Sequence, residues 1–68
     1  MSFSYNKLWK ILIDKNMTKS DLRKEIGISS STLAKMGKGE NVSLDVVDKI
    51  CRLFNCSVED ILEHVGND

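Results

Sequence analysis

The sequence has no proline, four glycines, one histidine, two cysteines, 6% aromatic residues and a formal charge of zero. Each scarcity excludes something. No stretch approaches the roughly 18 consecutive apolar residues of a membrane span, and the first residues lack a basic region followed by a long apolar run and a cleavage site. A cytoplasmic location is therefore expected, with no membrane partner. Cys51 and Cys56 are too few for the disulfide framework that small secreted domains rely on, which agrees with a reducing compartment. With His64 as the one histidine and no C-x-x-C pair, neither a metal site nor a cofactor is expected. Cys51 falls on an apolar helical stripe and Cys56 in a hydrophobic staple, so both read as small buried hydrophobes, with no base beside them in the sequence to make a nucleophile. Acid, base and nucleophile are not grouped anywhere, so an enzyme is not expected. At 68 residues the chain makes one domain, 1–68. A domain of that size buries only about 60% of its unfolded surface, which leaves one core cluster and no deep walled pocket for a small-molecule ligand.

The charge that cancels overall is unevenly distributed. Residues 1–40 carry eight basic side chains against four acidic ones, and residues 41–68 carry two against six. A bipolar molecule can turn its basic end toward phosphates while the acidic end limits indiscriminate binding.

Local start and stop signals mark five short helices and no strand. A hydroxyl residue stands where each N-cap belongs, at Ser4, Thr18, Ser29, Ser43 and Ser57, ready to accept a first-turn amide. Apolar residues flank each cap in the spacing of a hydrophobic staple: Phe3 with Leu8, Met17 with Leu22, Ile28 with Leu33, Val42 with Val47, Cys56 with Ile61. Thr18 with Asp21, and Ser57 with Asp60, resemble capping boxes. Asn16, Gly27, Asn55 and Gly66 can take the left-handed conformation that ends a helix, and Gly37 and Gly39 bracket the end of the third. The stripes predict an inward face of Tyr5, Leu8, Trp9, Leu12 and Ile13 on helix one. Helix four offers Val47, Ile50, Cys51 and Phe54, and helix five Val58, Ile61, Leu62 and Val65. Helices two and three contribute Leu22, Ile26, Leu33 and Met36, and are too short to stand without neighbours.

The informative segment runs from Thr18 to Lys38, T-K-S-D-L-R-K-E-I-G-I-S-S-S-T-L-A-K-M-G-K. It reads as a helix-turn-helix, with Gly27 giving the backbone freedom a short turn at a steep crossing angle requires. Its second helix presents Ser30, Ser31, Ala34 and Lys35 to solvent. Through Thr18, Leu22, Ile26, Gly27, Ile28-Ser29, Thr32-Leu33 and the Gly39 loop, the chain resembles the Cro and phage-repressor type of regulators, the XRE-like family. The resemblance covers nearly the whole chain. It implies an all-α, compact five-helix lambda-repressor-like domain with the motif at helices two and three. It also implies sequence-specific binding of double-stranded DNA, usually as a homodimer on an inverted repeat, to repress or regulate transcription. Arg23 departs from the family's small residue on helix two; its methylenes can lie along the neighbouring helix with the guanidinium in water.

Carried over by position, the resemblance puts Ser30, Ser31 and Lys35 at bases or nearby phosphates, with Ser29 at the start of the recognition helix. Lys19 and the first amides of helix two match a phosphate-clamping position, and Lys38, Asn41 and Ser43 approach the backbone from the other side. Thr18, Ser29 and Ser43 are caps first, as any helix terminus would demand. Trp9 and Tyr5 are spaced as core residues rather than as stacking platforms, and Lys7 and Lys10 as a solvated face. Leu44, Leu53, Val58 and the carboxyl-terminal end form the expected dimer seam. The competing reading is a module of the same fold that binds another regulator or a subunit of the transcription machinery, which the zero net charge and acidic second half favour.

Overall fold

The helix termini settle where the chain turns. In the computed structural model, which describes residues 2–65, the order is β1 (Ser2–Ser4), α1 (Asn6–Asp14), α2 (Lys19–Ile26), α3 (Ser30–Gly37), α4 (Leu44–Phe54), one 3-10 turn (Val58–Asp60) and β2 (Glu63–Val65). Thr18, Ser29 and Ser43 cap α2, α3 and α4, each accepting the amide of the residue three positions on. At α2 the capping box is complete, since Asp21 Oδ2 also accepts the Thr18 amide at 3.0 Å. Those bonds, the Thr18 backbone amide first, hold the Asp21 carboxyl below its ordinary value.

All four helices end alike. Asn16, Gly27, Gly39 and Asn55 take positive φ, between 53° and 74°. The amide after each bonds back to the carbonyl five residues earlier, Met17 to Leu12, Ile28 to Arg23, Glu40 to Lys35 and Cys56 to Cys51, at 2.8–3.2 Å. These are the six-to-one bonds of the Schellman turn, which satisfy carbonyls the helix would leave bare. Gly27 and Gly39 differ in what surrounds them. A Cβ at Gly27 would meet nothing within 4 Å, whereas one at Gly39 would lie 3.0 Å from the Phe3 carbonyl oxygen. Gly27→Ala is expected to cost about 1–2 kcal/mol, the strain of a left-handed L-residue alone. Gly39→Ala should cost clearly more, because the oxygen it meets belongs to strand backbone. Urea unfolding of the two variants side by side checks the ranking.

The five-helix expectation is corrected to four helices and a two-stranded sheet. Ser4 ends β1 instead of capping helix one; Tyr5 takes the cap position and Ser4 Oγ receives the Asn6 amide at 3.2 Å. The fifth helix shrinks to the turn at Val58–Asp60, and the chain then pairs antiparallel with β1, Ser2 opposite Val65, Phe3 opposite His64 and Ser4 opposite Glu63. The physical reason is that one turn fixes several residues for a single hydrogen bond, while the N-terminal segment offers strand partners for the same backbone groups. Phe3 and His64 stack edge to face across the pair. The expected stop at Gly66 lies outside the described residues.

The core is one cluster: Tyr5, Leu8, Leu12, Leu22, Ile26, Ile28, Met36, Val46, Val47, Ile50 and Ile61. Three expected inward residues are corrected. Ile13 is 73% exposed and Val58 50% exposed, and Val65 is also at the surface, whereas Trp9, Leu33, Cys51, Phe54, Cys56 and Leu62 are half-buried against the cluster. Val46, not counted inward, is buried. Tyr5 does more than fill space. Its hydroxyl donates to the Glu40 carbonyl at 3.0 Å, and burial pushes the phenol up, keeping that proton in place. The start of α1 is thus tied to the loop between α3 and α4.

Candidate nucleic-acid interface

Three residues, Gly27, Ile28 and Ser29, separate α2 from α3. Ile28 is buried beneath the turn, so the chain reverses around an apolar anchor. Arg23 is half-buried, and its guanidinium reaches the Ile28 carbonyl at 3.5 Å; the bulky residue braces the turn instead of prying it open. Met36 faces the core and Leu33 packs against it. The opposite side of α3 is then fixed by helical geometry, and Ser30, Ser31, Ala34, Lys35 and Lys38 are all exposed. No carboxylate interrupts that face.

The hydroxyls at its start are partly engaged. Ser29 Oγ accepts the Thr32 amide at 3.1 Å and lies 3.0 Å from both Ser31 Oγ and Thr32 Oγ1. Ser30 carries the hydroxyl of this face that the network leaves out. Between α3 and the start of α4, a groove of 280 Å³ is lined by Thr32, Lys35, Asn41, Val42, Ser43 and Val46. The structure therefore brings Lys35, Asn41 and Ser43 together, with Ser43 Oγ committed to the Val46 amide at 3.3 Å. Thr32 belongs to both the hydroxyl network and the groove. Its position three residues after Ser29 was the available signal.

Lys19 opens α2, and its ammonium stands 4.3 Å from the centroid of the Trp9 ring. The ring face attracts the cation and narrows the volume its long side chain sweeps. Trp9 is thus half core and half platform for Lys19, a pairing across two helices that residue spacing cannot reveal. The capping box uses the Thr18 and Asp21 amides, so the amides left to an anion at this terminus are those of Lys19 and Ser20.

Charge pairing separates the two ends of the molecule. Among the described residues the ion pairs are Lys49 with Asp45 at 3.6 Å and Arg52 with Asp48 at 2.8 Å, both along α4. Lys19, Lys35 and Lys38 have no carboxylate partner among the described residues. The cations of α2 and α3 can therefore neutralise an external anion without first giving up an internal one.

Residues 7–67 match the model of the Cro/C1-type HTH DNA-binding domain. The chain belongs to that family. Over 47 residues it is 43% identical to an uncharacterized HTH-type transcriptional regulator of Archaeoglobus fulgidus, covering 68% of this chain and 66% of that protein. The chain thus spans just under two thirds of that relative's length. The crystal structure of the transcriptional regulator VanUg superposes with a TM-score of 0.92 at 53% identity, covering 97% of this chain and 88% of the other. In this Cro/C1-type domain no described helix is long and apolar enough to cross a membrane.

The expected dimer seam is divided. Leu44 and Val58 line one open groove with Val47, Cys51 and Cys56, whereas Leu53 lines another with Met17 and Phe54. The final residues of the seam lie outside the described part of the chain.

Proposed function

We propose that this Cro/C1-type domain binds duplex DNA as a homodimer and represses transcription by occupying its operator. In this reading α3 enters the major groove with Ser30, Ser31 and Lys35 toward base edges. Lys19, Ser29, Lys38, Asn41 and Ser43 hold the flanking phosphate backbone. The observation that carries it is the uninterrupted Ser30–Ser31–Ala34–Lys35–Lys38 face, exposed and free of carboxylates, on the second helix of the motif. Short hydroxyls bring helix backbone close to the base edges, and they both donate and accept. They discriminate bases less sharply than a bidentate side chain, which leaves Lys35 as the strongest reader of a guanine edge.

Two copies supply what one short helix cannot, because half-sites about 34 Å apart engage two recognition helices at once. Of the expected seam, Leu53, 38% exposed beside Met17 and Phe54, is the apolar position that a second copy would cover.

Mobility shifts against the DNA upstream of the gene, followed by selection of bound genomic fragments, test the reading. Selected fragments should share an inverted repeat. Lys35→Ala should relax the preference at one base pair of each half-site by about 1–3 kcal/mol. A Lys35→Ala protein that selects the same fragments with the same ranking removes the base-reading role. Failure to bind any duplex at low salt would return the domain to the partner-protein reading.

A further inference from the structure

The end of α4 repeats the turn that ends α1, but with sulfur at both contact positions. A six-to-one cap brings the side chains on either side of the left-handed residue against each other. At α1 that pair is Leu12, in the apolar cluster, and Met17, packed against it. At α4 it is Cys51 and Cys56, with Asn55 left-handed between them and the Cys56 amide bonded to the Cys51 carbonyl at 3.0 Å. Both cysteines are free and half-buried. Both also line the open groove bounded by Leu44, Val47, Asp48, Val58 and Glu59, so a small reagent can reach either one.

We propose that Cys51 and Cys56 form a dithiol site that small-molecule disulfides convert to an internal disulfide across the α4 cap. The proposal does not depend on DNA binding. The thiolate of one cysteine attacks the reagent's S–S bond, forming a mixed disulfide and releasing one reagent thiolate. The second cysteine loses its proton and attacks the protein sulfur of that mixed disulfide, releasing the other reagent thiolate. The two cysteines lose two electrons and two protons in all, and the reagent disulfide gains them as two thiols. Burial pushes the Cys56 thiol up, with the Cys51 thiol and the Asp60 carboxylate adding to the rise.

The test equilibrates the full chain, under native conditions, in a buffer of glutathione and glutathione disulfide, then quenches with acid and measures intact mass. The expected product is one monomeric species lighter by two hydrogen atoms, with its helical circular dichroism retained. Trypsin cuts after Arg52, between the cysteines, so the peptide 50–52 should stay joined to the peptide 53–68 until reductant is added. Cys51→Ser and Cys56→Ser should each instead carry a single glutathione. Wild-type protein bearing glutathione on both cysteines, cross-linking to a second chain, or closing only in urea would overturn the proposal.

Discussion

Replacing Lys19 and Lys38 together by alanine is expected to lower the salt dependence of DNA binding by about 2 in the slope of log K against log salt concentration. Each lysine that neutralises a phosphate releases close to one counterion. Over a fourfold rise in salt, wild-type affinity should then fall about twelve times more than that of the double variant. The contrast that gives the result meaning is Lys49→Ala with Arg52→Ala. Those cations already pair with Asp45 and Asp48 along α4, and removing them should leave the slope near its wild-type value. Fluorescence anisotropy at a series of salt concentrations measures both. Equal slopes for the wild type and the lysine variant would show that Lys19 and Lys38 are not at the phosphates. Lys19 carries a further expectation within the set. Its ammonium is held on the Trp9 ring, so Trp9→Leu should weaken binding by freeing Lys19 while its charge is unchanged.

Leu22→Ala has the largest expected effect on stability. Leu22 is fully buried on α2, the helix that packs against α1, α3 and α4. Truncating such a leucine costs about 2–5 kcal/mol, because the transfer energy is lost and the cavity closes only partly. A domain of this length has a total stability of roughly 3–10 kcal/mol. The variant should therefore be largely unfolded or melt far below the wild type, as urea titration followed by circular dichroism will show. Ile13→Ala provides the scale. Although it continues the apolar stripe of α1, Ile13 is 73% exposed, and its truncation should change stability by no more than about 0.5 kcal/mol. Equal losses at the two positions would mean that the core is not where the structure places it.

The difference between these two residues shows where periodicity stops being informative. Leu8, Leu12 and Ile13 all fit a helical stripe, but the width of the face that a helix buries depends on what packs against it. In α1 the stripe narrows to Leu8 and Leu12, and the next residue points to solvent. The interface has a similar division. Exposure of Ser30, Ser31 and Lys35 follows from the inward placement of Leu33 and Met36, which the motif already dictates. The grouping of Lys35 with Asn41 and Ser43 is different, because it needs the loop after α3 to fold back, and Tyr5 holds that loop through the Glu40 carbonyl.

By itself the sequence determined most of the features whose cause lies within about one helical turn. These are the caps at Thr18, Ser29 and Ser43, the left-handed stops at Asn16, Gly27 and Asn55, and the motif they frame. Such signals are legible because donor, acceptor and strained residue are neighbours in the chain. Tertiary structure alone decided that residues 63–65 form a strand with residues 2–4, that Lys19 rests on Trp9, and that Cys51 and Cys56 open to the groove beside Leu44. Each of these depends on which distant surface arrives next to which, and a local backbone preference worth a few tenths of a kcal/mol per residue yields to the partner that the fold delivers.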